Sequence, residues 1–597
     1  MVRFYDNSKI SLSFLIMTGR ANQMNKEKKS TLDVLVEKMI VMTRTGLLDV
    51  AEKLTRELIA ANPQHSRLIL CLGVIEFKKN NYQVAKDYFV RSLAFNSDDK
   101  DSLNFLTLSF MRLGDYVSAL EVCDKAIRNH LNYPDFFMNR GLILQGMGNF
   151  EGSLKAHDKA ISLDSNFVEA HSARGIALHS LAKLDDALNS HNRAIELDDA
   201  FPDAYSNRAN VLKDLGRFTD ALENYDRAIE ISPDPIFFSN RGNTYKLLKN
   251  FNNALRDFDT AIKLDVNNYL AYWNKALLLL LLGDYKIGWR LYDYRWKTVQ
   301  LNFFENFIST LPKPMWKDGL GDSDSILYVY SEQGFGDIIH FCRYISLAAK
   351  LFKGVIFQVP ESLLEIVSTL KGANVQVISG SEPPKFFDFH CALMSLPGLL
   401  KTRPENIPNQ VPYLFANPDK CKCWRGKLGD KKRFRVGLVW ASGFRPKQLE
   451  TIITMKLKSI PLNSFSVFNE INADFLSLQK GELAEAELKE LRDSNWTGPY
   501  IIDHTRDIKN FSDTAALIES LDLVITVCTS VAHLAGALGK KTWVMIPYDS
   551  CWRWFLDRKD SPWYPSITLY RQTKVYFWDD VLEEIRRDLK QLTSSNS

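Results

Sequence analysis

The sequence predicts an α-helical solenoid followed by an α/β module that is built on two parallel sheets. Two observations lead to this fold class. Similar residues recur at a spacing of 34 over residues 31–298, and beyond residue 322 short apolar runs alternate with helical patterns. A chain of 597 residues also exceeds what one hydrophobic core organises, so several domains are expected.

The composition is that of a globular protein, and it excludes several classes. Hydrophobic residues make up 46% of the chain, charged residues 24%, and the net charge is only +4. So small a charge gives no reason to expect nucleic acid as a partner. No apolar run approaches the roughly 18 residues that cross a bilayer, and the eight cysteines have neither a disulfide nor a zinc spacing. We therefore expect no transmembrane segment, no metal site and a cytoplasmic location.

The 34-residue period is clearest in two columns of the first half. One column is basic, with Arg140, Arg174, Arg208, Arg241 and Lys275, and the other holds the pairs Ala126-Ile127, Ala160-Ile161, Ala194-Ile195, Ala228-Ile229 and Ala261-Ile262. Prolines stand where a new helix would begin, at Pro134, Pro202 and Pro235. Two amphipathic helices in each 34 residues resemble the tetratricopeptide repeat, and about eight such units fit this region. The expected architecture is a right-handed superhelix whose helices pack on their neighbours.

A third column of the repeats is polar. The residue before each repeating Arg or Lys is an asparagine in four of five units, at Asn139, Asn207, Asn240 and Asn274. An amide can donate to and accept from a peptide backbone whatever its side chains, so one interpretation is a peptide-binding ladder on the concave face. This column resembles the asparagine ladder of the protein O-GlcNAc transferases. The other interpretation is that these amides cap turns or contact water.

The second half alternates between two kinds of pattern. Strand-like runs lie at Ser325–Tyr330, Val355–Val359, Val375–Ile378, Phe434–Trp440, Phe475–Leu478, Leu523–Val527 and Thr542–Ile546. Helical patterns between most of them favour parallel sheets with crossover helices. The predicted domains are an extension over residues 1–30, the repeats over 31–298, a linker over 299–322, and two Rossmann-like halves over 323–425 and 433–590. Facing halves of this kind bind ligands at the carboxyl ends of their strands.

The first strand of the second half leads into a glycine turn. Gly334 and Gly336 lie in this turn, and Asp337 and His340 follow it on one face of a helix. A turn without Cβ atoms lets a ligand approach the backbone. A carboxylate at the mouth of a strand suits a general base. The simpler alternative is that Asp337 caps its own helix.

Three later strand ends carry candidate binding residues. Thr529 and Ser530 open a helix of small residues that contains His533, and free N–H groups at a helix N-terminus suit a diphosphate. The alternative is that the small residues only let this helix lie close to the sheet. The other two strand ends offer a lysine for phosphate and a turn that could cradle a ligand, at Gln479-Lys480 and at Trp440, Ser442 and Gly443. An aromatic stretch over 552–565 could line the cleft or pack domains together.

Several segments in order resemble the ADP-heptose:lipopolysaccharide heptosyltransferases and the O-GlcNAc transferases. They are 332–337, 386–390, 436–440, 459–462, 475–481, 511–518 and 531–539. The resemblance implies a GT-B fold, with the acceptor side in the first half and the donor side in the second. It implies inverting, metal-independent transfer from a nucleotide-sugar, with no other cofactor, to a protein or glycan acceptor that the repeats recruit.

The resemblance also assigns roles to individual residues. In the heptosyltransferases a Gly-Asp-x-x-His turn supplies the base, and Gly336-Asp-Ile-Ile-His340 matches it. Asp337 would deprotonate an acceptor hydroxyl. Lys480, Thr529 and Ser530 would stabilise the leaving diphosphate.

Three positions depart from the family pattern, all on the donor side. Cys528 stands where the family has Asp, the loop over 441–446 replaces a Gly-Asn-Pro type turn, and Lys458 replaces an arginine. Lysine keeps the charge but loses the bidentate fork of a guanidinium. An alternative function is therefore a non-catalytic repeat scaffold with a degenerate transferase domain. A third alternative, a nucleotide-binding dehydrogenase, is disfavoured because no Gly-x-Gly-x-x-Gly motif with a downstream ribose-binding acid is present.

Overall fold

A computed structural model of the chain describes residues 31–298, 302–317, 319–372, 374–443, 457–493 and 496–594. The chain divides into two compact units, Met1–Pro233 and Asp234–Ser597. The division falls inside the predicted repeat region rather than at its end. The predicted N-terminal extension, residues 299–301 and 318 of the predicted linker, and residues 444–446 of the divergent loop lie outside the described residues.

The first unit consists of consecutive helices. They are α1 (Thr31–Arg44), α2 (Leu48–Ala61), α3 (Ser66–Lys78), α4 (Tyr82–Phe95), α5 (Lys100–Arg112), α6 (Tyr116–Asn129), α7 (Pro134–Gly146), α8 (Phe150–Leu163), α9 (Val168–Ser180), α10 (Leu184–Leu197), α11 (Pro202–Asp214) and α12 (Phe218–Ile231). Each helix packs against the next along the chain. Pro134 and Pro202 open helices, as predicted, because proline fixes a helical φ and lacks an N–H that would stay unbonded there.

Glycines in the first helix of a pair make room for a ring of the second. A Cβ atom on Gly141 would lie 2.3 Å from His157 Cε1, and one on Gly175 would lie 2.5 Å from His191 Cε1. Both histidines are buried, and burial lowers the pKa of each from 6.5 to about 3. The folded repeats therefore hold two neutral imidazoles where the unfolded chain would bind protons.

We expect the first unit to lose stability in mild acid because of these two histidines. Since the unfolded chain binds protons that the folded chain refuses, the free energy of unfolding falls as the pH drops below 6.5. The loss is about 2 kcal/mol per histidine at pH 5. Melting temperatures measured between pH 7.5 and pH 5 check this.

The double variant His157→Phe/His191→Phe is the matched test of this pH dependence. Phenylalanine fits the site, because Phe89 lies in the same way against Gly73. The variant should show a smaller drop in melting temperature than the unchanged chain. An equal drop would contradict the assignment to these two rings.

The second unit begins with further helices and continues into two sheets. Its helices before the first sheet are α13 (Pro235–Leu247), α14 (Phe251–Leu264), α15 (Tyr269–Leu281), α16 (Tyr285–Tyr292) and α17 (Asn302–Thr310). The first sheet contains β1 (Asp322–Tyr330), β2 (Phe352–Gln358), β3 (Val375–Ile378) and β4 (Phe389–Ala392), in the order β3-β2-β1-β4. Its helices are α18 (Phe335–Phe341), α19 (Ile345–Ala348), α20 (Glu361–Val367) and α21 (Leu396–Leu399), and α22 (Pro418–Leu428) leads to the second sheet.

The second sheet is larger. Its strands are β5 (Phe434–Val439), β6 (Ala473–Ser477), β7 (Ile501–Ile502), β8 (Leu523–Val527), β9 (Thr542–Ile546) and β10 (Ile567–Arg571), in the order β10-β9-β8-β5-β6-β7. Its helices are α23 (Glu482–Arg492), α24 (Phe511–Glu519), α25 (Ser530–Ala537) and α26 (Asp579–Ser594). Every pairing between the named strands of either sheet is parallel, as predicted. The strands β4, β7 and β10 were not predicted from the sequence.

The last helices of the repeat region share a core with the α/β part of the second unit. The ring of Tyr285 stacks on Phe555 at 6.0 Å, and Trp289 meets Trp552 edge to face at 5.3 Å. Beside these rings lies a buried ion pair. Arg295 donates to both carboxylate oxygens of Glu332, at 2.6 and 3.0 Å, and both side chains are fully buried.

Glu332→Gln should destabilise the second unit strongly. The change removes the fully buried carboxylate of Arg295 and leaves only the half-exposed carboxylate of Asp293 beside its guanidinium. Loss of a buried partner of this kind costs about 1–3 kcal/mol. The melting temperature of the second unit, measured by calorimetry, should fall clearly. As a control, Glu583→Gln removes a solvent-exposed pair with Arg586 and should leave the melting temperature unchanged. Equal melting temperatures for both variants would contradict the role given to the buried pair.

Within the described residues, none of the helices has the length and apolar character needed to span a bilayer.

Candidate functional site

The carboxyl ends of central strands from the two sheets meet in one place. β1 ends at Tyr330 and leads through the glycine turn into α18, and β8 leads through Thr529 into α25. Helices α18 and α25 pack against each other. A Cβ atom on Gly336 would lie 3.3 Å from Ser530 Cα and 3.1 Å from His533 Cδ2. The structure thus brings the predicted turn and the predicted anion-binding helix into direct contact.

Two predicted histidines meet in this contact through one tyrosine. The Tyr564 hydroxyl lies 2.8 Å from His340 Nδ1 and 3.1 Å from His533 Nδ1. Burial lowers the pKa of both imidazoles well below its usual value, and the nearby charges of Arg343 and Arg553 lower it further. Both rings are therefore neutral at neutral pH.

The burial of His340 differs from the prediction that it lies at the reacting centre. Its side chain is fully buried and cannot contact a substrate in this structure. Its Nε2 has no hydrogen-bond partner among the described residues. The ring packs 4.5 Å from Trp563 and 5.0 Å from His533, between centroids. These contacts make His340 a residue that positions α18 against α25.

Asp337 lies at the surface of the same contact, with 24% of its side chain exposed. One carboxylate oxygen accepts from the Gly334 N–H at 3.2 Å, as a helix cap would. The other oxygen forms an ion pair with Arg553 Nη2. The cap predicted as the simpler alternative is therefore present, and the carboxylate remains accessible beside it.

The N-terminus of α25 has no side-chain cap. Thr529 and Ser530 are partly exposed, and the Thr529 hydroxyl lies 3.3 Å from the Thr526 hydroxyl. The N–H groups of a helix N-terminus carry a partial positive charge that favours an anion. This first turn of α25 can accept one.

The other predicted donor residues form the end of β5 and β6. The Gln479 side chain is buried, and its Oε1 accepts hydrogen bonds from the backbone N–H groups of Trp440 and Ala441, at 3.1 and 2.9 Å. Trp440 is also buried, so neither side chain presents its polar atoms to solvent. The Ser442 N–H donates to Ser459 Oγ, and Gly443 is exposed at the edge of the described residues. Gln479 therefore shapes the turn after β5.

Lys480 is half-exposed, and its ammonium group contacts Thr505 and Glu485 rather than the predicted anion site at Thr529 and Ser530. Its Nζ donates to the Thr505 carbonyl at 2.9 Å and lies 3.8 Å from Glu485. No described contact joins it to Thr529 or Ser530. A lysine side chain is long and flexible, so its reach to an anion depends on leaving these partners.

Cys528 and the aromatic stretch of residues 552–565 are neighbours. The Trp554 indole N–H lies 3.0 Å from Cys528 Sγ, and Arg553 Nη1 lies 3.0 Å from Cys551 Sγ. Burial raises the pKa of the Cys528 thiol, which Lys458 and Arg553 only partly offset. A neutral thiol thus stands where the resembling families have a carboxylate. This aromatic stretch was singled out from the sequence, but no role was predicted for Arg553 or Tyr564 within it. Their partners, Asp337 and His340, lie more than 200 residues away in the sequence.

The asparagine column of the repeats is not uniformly exposed. Asn139 is fully buried and donates to Asn104 Oδ1, and Asn274 is 5% exposed. Asn207 is partly exposed and donates to Ser172 Oγ at 3.3 Å, and Asn240 is also partly exposed. For the two buried amides, packing inside the helix pairs describes the structure better than contact with a peptide.

Family models of the tetratricopeptide repeat match residues 70–134, 202–235 and 237–268. The predicted repeats are therefore confirmed, and they support a protein partner for this chain. Protein FlbA of Caulobacter vibrioides is 24% identical over 351 residues, which are 54% of this chain and 55% of FlbA. The chain thus spans about half the length of this relative.

Several solved structures are similar in fold to part of the chain. One is the APC/C hetero-tetramer Cut9–Hcn1, 15% identical, covering 42% of this chain and 50% of that one, with a TM-score of 0.38. Another is a tetratricopeptide repeat protein of Parabacteroides merdae, 20% identical over 41% of this chain and 98% of that one, with a TM-score of 0.37. A third is TTC0263, a thermophilic repeat protein of Thermus thermophilus, 25% identical over 30% of this chain and 98% of that one, with a TM-score of 0.28.

Gly336→Ala should loosen the contact between α18 and α25. The added methyl group would lie 3.3 Å from Ser530 Cα and 3.1 Å from Cδ2 of the buried His533 ring. Overpacking of this kind costs about 1–3 kcal/mol, against the roughly 1 kcal/mol by which a helix favours alanine over glycine. We expect a lower melting temperature of the second unit. Gly334→Ala is the control, because its methyl group would meet only Asp337 Oδ2 at 3.5 Å, an ordinary contact. A Gly336→Ala variant as stable as the Gly334→Ala control would contradict a tight contact between α18 and α25 at this position.

Proposed function

We propose that the chain is a glycosyltransferase that moves a sugar from a nucleotide-sugar to a protein or glycan acceptor recruited by the repeats. The two parallel sheets would form the halves of a GT-B arrangement, with the acceptor at the end of β1 and the donor at the ends of β5 and β8. Transfer would be inverting and metal-independent.

One observation carries the proposal. A partly exposed carboxylate, Asp337, lies one residue from Gly336, which touches the uncapped N-terminus of α25 at Ser530. A transferase needs a base for the acceptor and a stabiliser for the leaving diphosphate, close enough to act on one bond. The elements on which the two groups stand come from different sheets, at the ends where parallel sheets bind ligands.

Each residue then has a defined part. Asp337 takes the proton of the acceptor hydroxyl, and the N–H groups and hydroxyls of Thr529 and Ser530 receive the developing charge of the diphosphate. Lys480 adds a positive charge after leaving Thr505. His340, His533 and Tyr564 hold the two helices in register. Ser442 and Gly443 offer backbone to the donor at the end of β5.

A non-catalytic scaffold is the second candidate, and Cys528 favours it. The residue is a neutral thiol hydrogen-bonded to Trp554, so the donor side lacks the charge that the resembling families place there. In this case the repeats would bind a protein while the α/β part served only as a fixed support. The repeats support a protein partner under both candidates.

Asp337→Asn should strongly lower the rate of transfer. Because the change also removes the carboxylate partner of the buried Arg553, the melting temperature of the variant is measured alongside to show that it folds. The purified full chain is incubated with a panel of nucleotide-sugars, with binding followed by calorimetry and turnover by release of nucleoside diphosphate. Loss of a general base lowers the rate about 10²–10⁴-fold. Asp560→Asn, which removes an exposed partner of Arg558, should leave the rate unchanged.

The same panel separates the two candidate functions. Binding of at least one nucleotide-sugar, with turnover that depends on Asp337, supports the enzyme. A folded chain that binds no nucleotide in the panel would contradict the glycosyltransferase and support the scaffold. Turnover that survives Asp337→Asn would leave the class intact and remove Asp337 as the base.

A further inference from the structure

The buried guanidinium of Arg553 has no part in the reaction described so far. We propose that Arg553 binds the diphosphate of the donor, and that Asp337 occupies this place in the unliganded protein. Donor binding would then release the carboxylate to act as the base. This inference rests on the proposed function, because it adds a ligand-binding residue and an order of events to the same site.

The contacts of Arg553 leave it incompletely satisfied. Its side chain is 9% exposed. Nη2 pairs with Asp337, Nη1 donates to Cys551 Sγ at 3.0 Å, and Nε has no hydrogen-bond partner among the described residues. A guanidinium carries five N–H donors, and sulfur is a weak acceptor. Oxygen atoms of a diphosphate would supply what these donors lack.

The charges around Arg553 also favour an anion. Arg343 is a second buried guanidinium in the same cluster, and its partners are neutral: the Tyr413 hydroxyl and the carbonyls of His340, Pro408 and Trp563. Arg343 and Arg553 both lie close enough to the neutral His340 and His533 to lower the pKa of these imidazoles, and only Arg553 has a described carboxylate partner, Asp337. The described contacts of Arg343 therefore include no carboxylate, and a buried charge of this kind is stabilised by a partner of opposite sign.

The position of the pair fits a ligand at α25. Asp337 directly follows Gly336, which contacts Ser530 at the start of that helix. Arg553 is close enough to His533, one turn into α25, to lower the pKa of its imidazole. Guanidinium, carboxylate and free helix N–H groups therefore share one corner of the contact between the two sheets. Two of the three attract a diphosphate, and the third competes with it.

The exchange of partners gives the reaction an order. In the unliganded protein both oxygens of Asp337 are engaged, one by Arg553 Nη2 and the other by the Gly334 N–H, so neither is directed at an acceptor hydroxyl. Once the diphosphate takes the guanidinium, Asp337 can accept the acceptor's hydroxyl proton. The acceptor oxygen then bonds to the anomeric carbon. The bond from that carbon to the diphosphate breaks, and its electron pair leaves with the nucleoside diphosphate, which Arg553 neutralises.

Binding of inorganic pyrophosphate to the full chain tests the exchange without any turnover. Asp337→Asn removes the competing carboxylate while keeping its shape, so pyrophosphate should bind about threefold to tenfold more tightly than to the unchanged protein. Arg553→Gln and the milder Arg553→Lys should weaken binding, the former by about tenfold or more. Arg558→Gln is the matched control, because that guanidinium pairs with Asp560 at the surface. Calorimetric titration gives the affinities, and melting temperatures show which variants are folded.

The sign of the Asp337→Asn effect decides the inference, even if the Arg553 variants do not fold. Tighter binding supports the exchange, and unchanged or weaker binding overturns it. Unchanged binding in a folded Arg553→Lys or Arg553→Gln variant also overturns it. The proposed function is judged separately by turnover: pyrophosphate binding with the expected signs but no transfer would remove the enzyme and keep the anion site. Transfer with the opposite signs would keep the enzyme and remove the role of Arg553.

Discussion

The buried ion pair of Arg295 and Glu332 fixes the geometry from which the candidate site is built. Glu332 lies in the turn after β1, five residues before Asp337, and it also accepts the Trp296 indole N–H and the Met394 backbone N–H. A carboxylate held by so many donors cannot rotate, because each alternative leaves a buried donor unsatisfied. The glycine turn therefore starts from a rigid point supplied by the segment that follows the last repeat helix.

The regular parts of the fold could be predicted because they repeat or alternate in the sequence. The 34-residue period gave the helix pairs of the repeats, and apolar runs gave β1 and β8, with the turns that follow them. The strand β7 could not be predicted, because a run of two residues carries no strand pattern and is a strand only through its pairing with β6. The break between the compact units was also not foreseen, since the repeat pattern continues across it.

The candidate site was predictable in its elements and not in its contacts. Motif context located Asp337, Thr529 and Ser530, but the partners that decide their chemistry come from remote segments. Arg553 and Tyr564 reach α18 only because the two sheets meet there, and no local pattern encodes that meeting. The sequence predicted that His340 and Gln479 contact a ligand. Both side chains are buried, and they instead hold α18 and the turn after β5 in position. Sequence spacing cannot distinguish these roles, because both keep the residue on the same helix face or strand end.

The position of the boundary between the compact units bears on how the molecule can be divided. It falls at Pro233, so the helices from α13 to α16 belong with the sheets, and their aromatic side chains fill the same core as Trp552 and Phe555. A cut after residue 298, where the periodic pattern stops, would remove Tyr285 and Trp289 from that core. The α/β part would then expose an apolar surface to solvent. A fragment that is to contain the whole second unit should instead start near Asp234. The last repeats are thus part of the hydrophobic core of the second unit and not a separable extension of it.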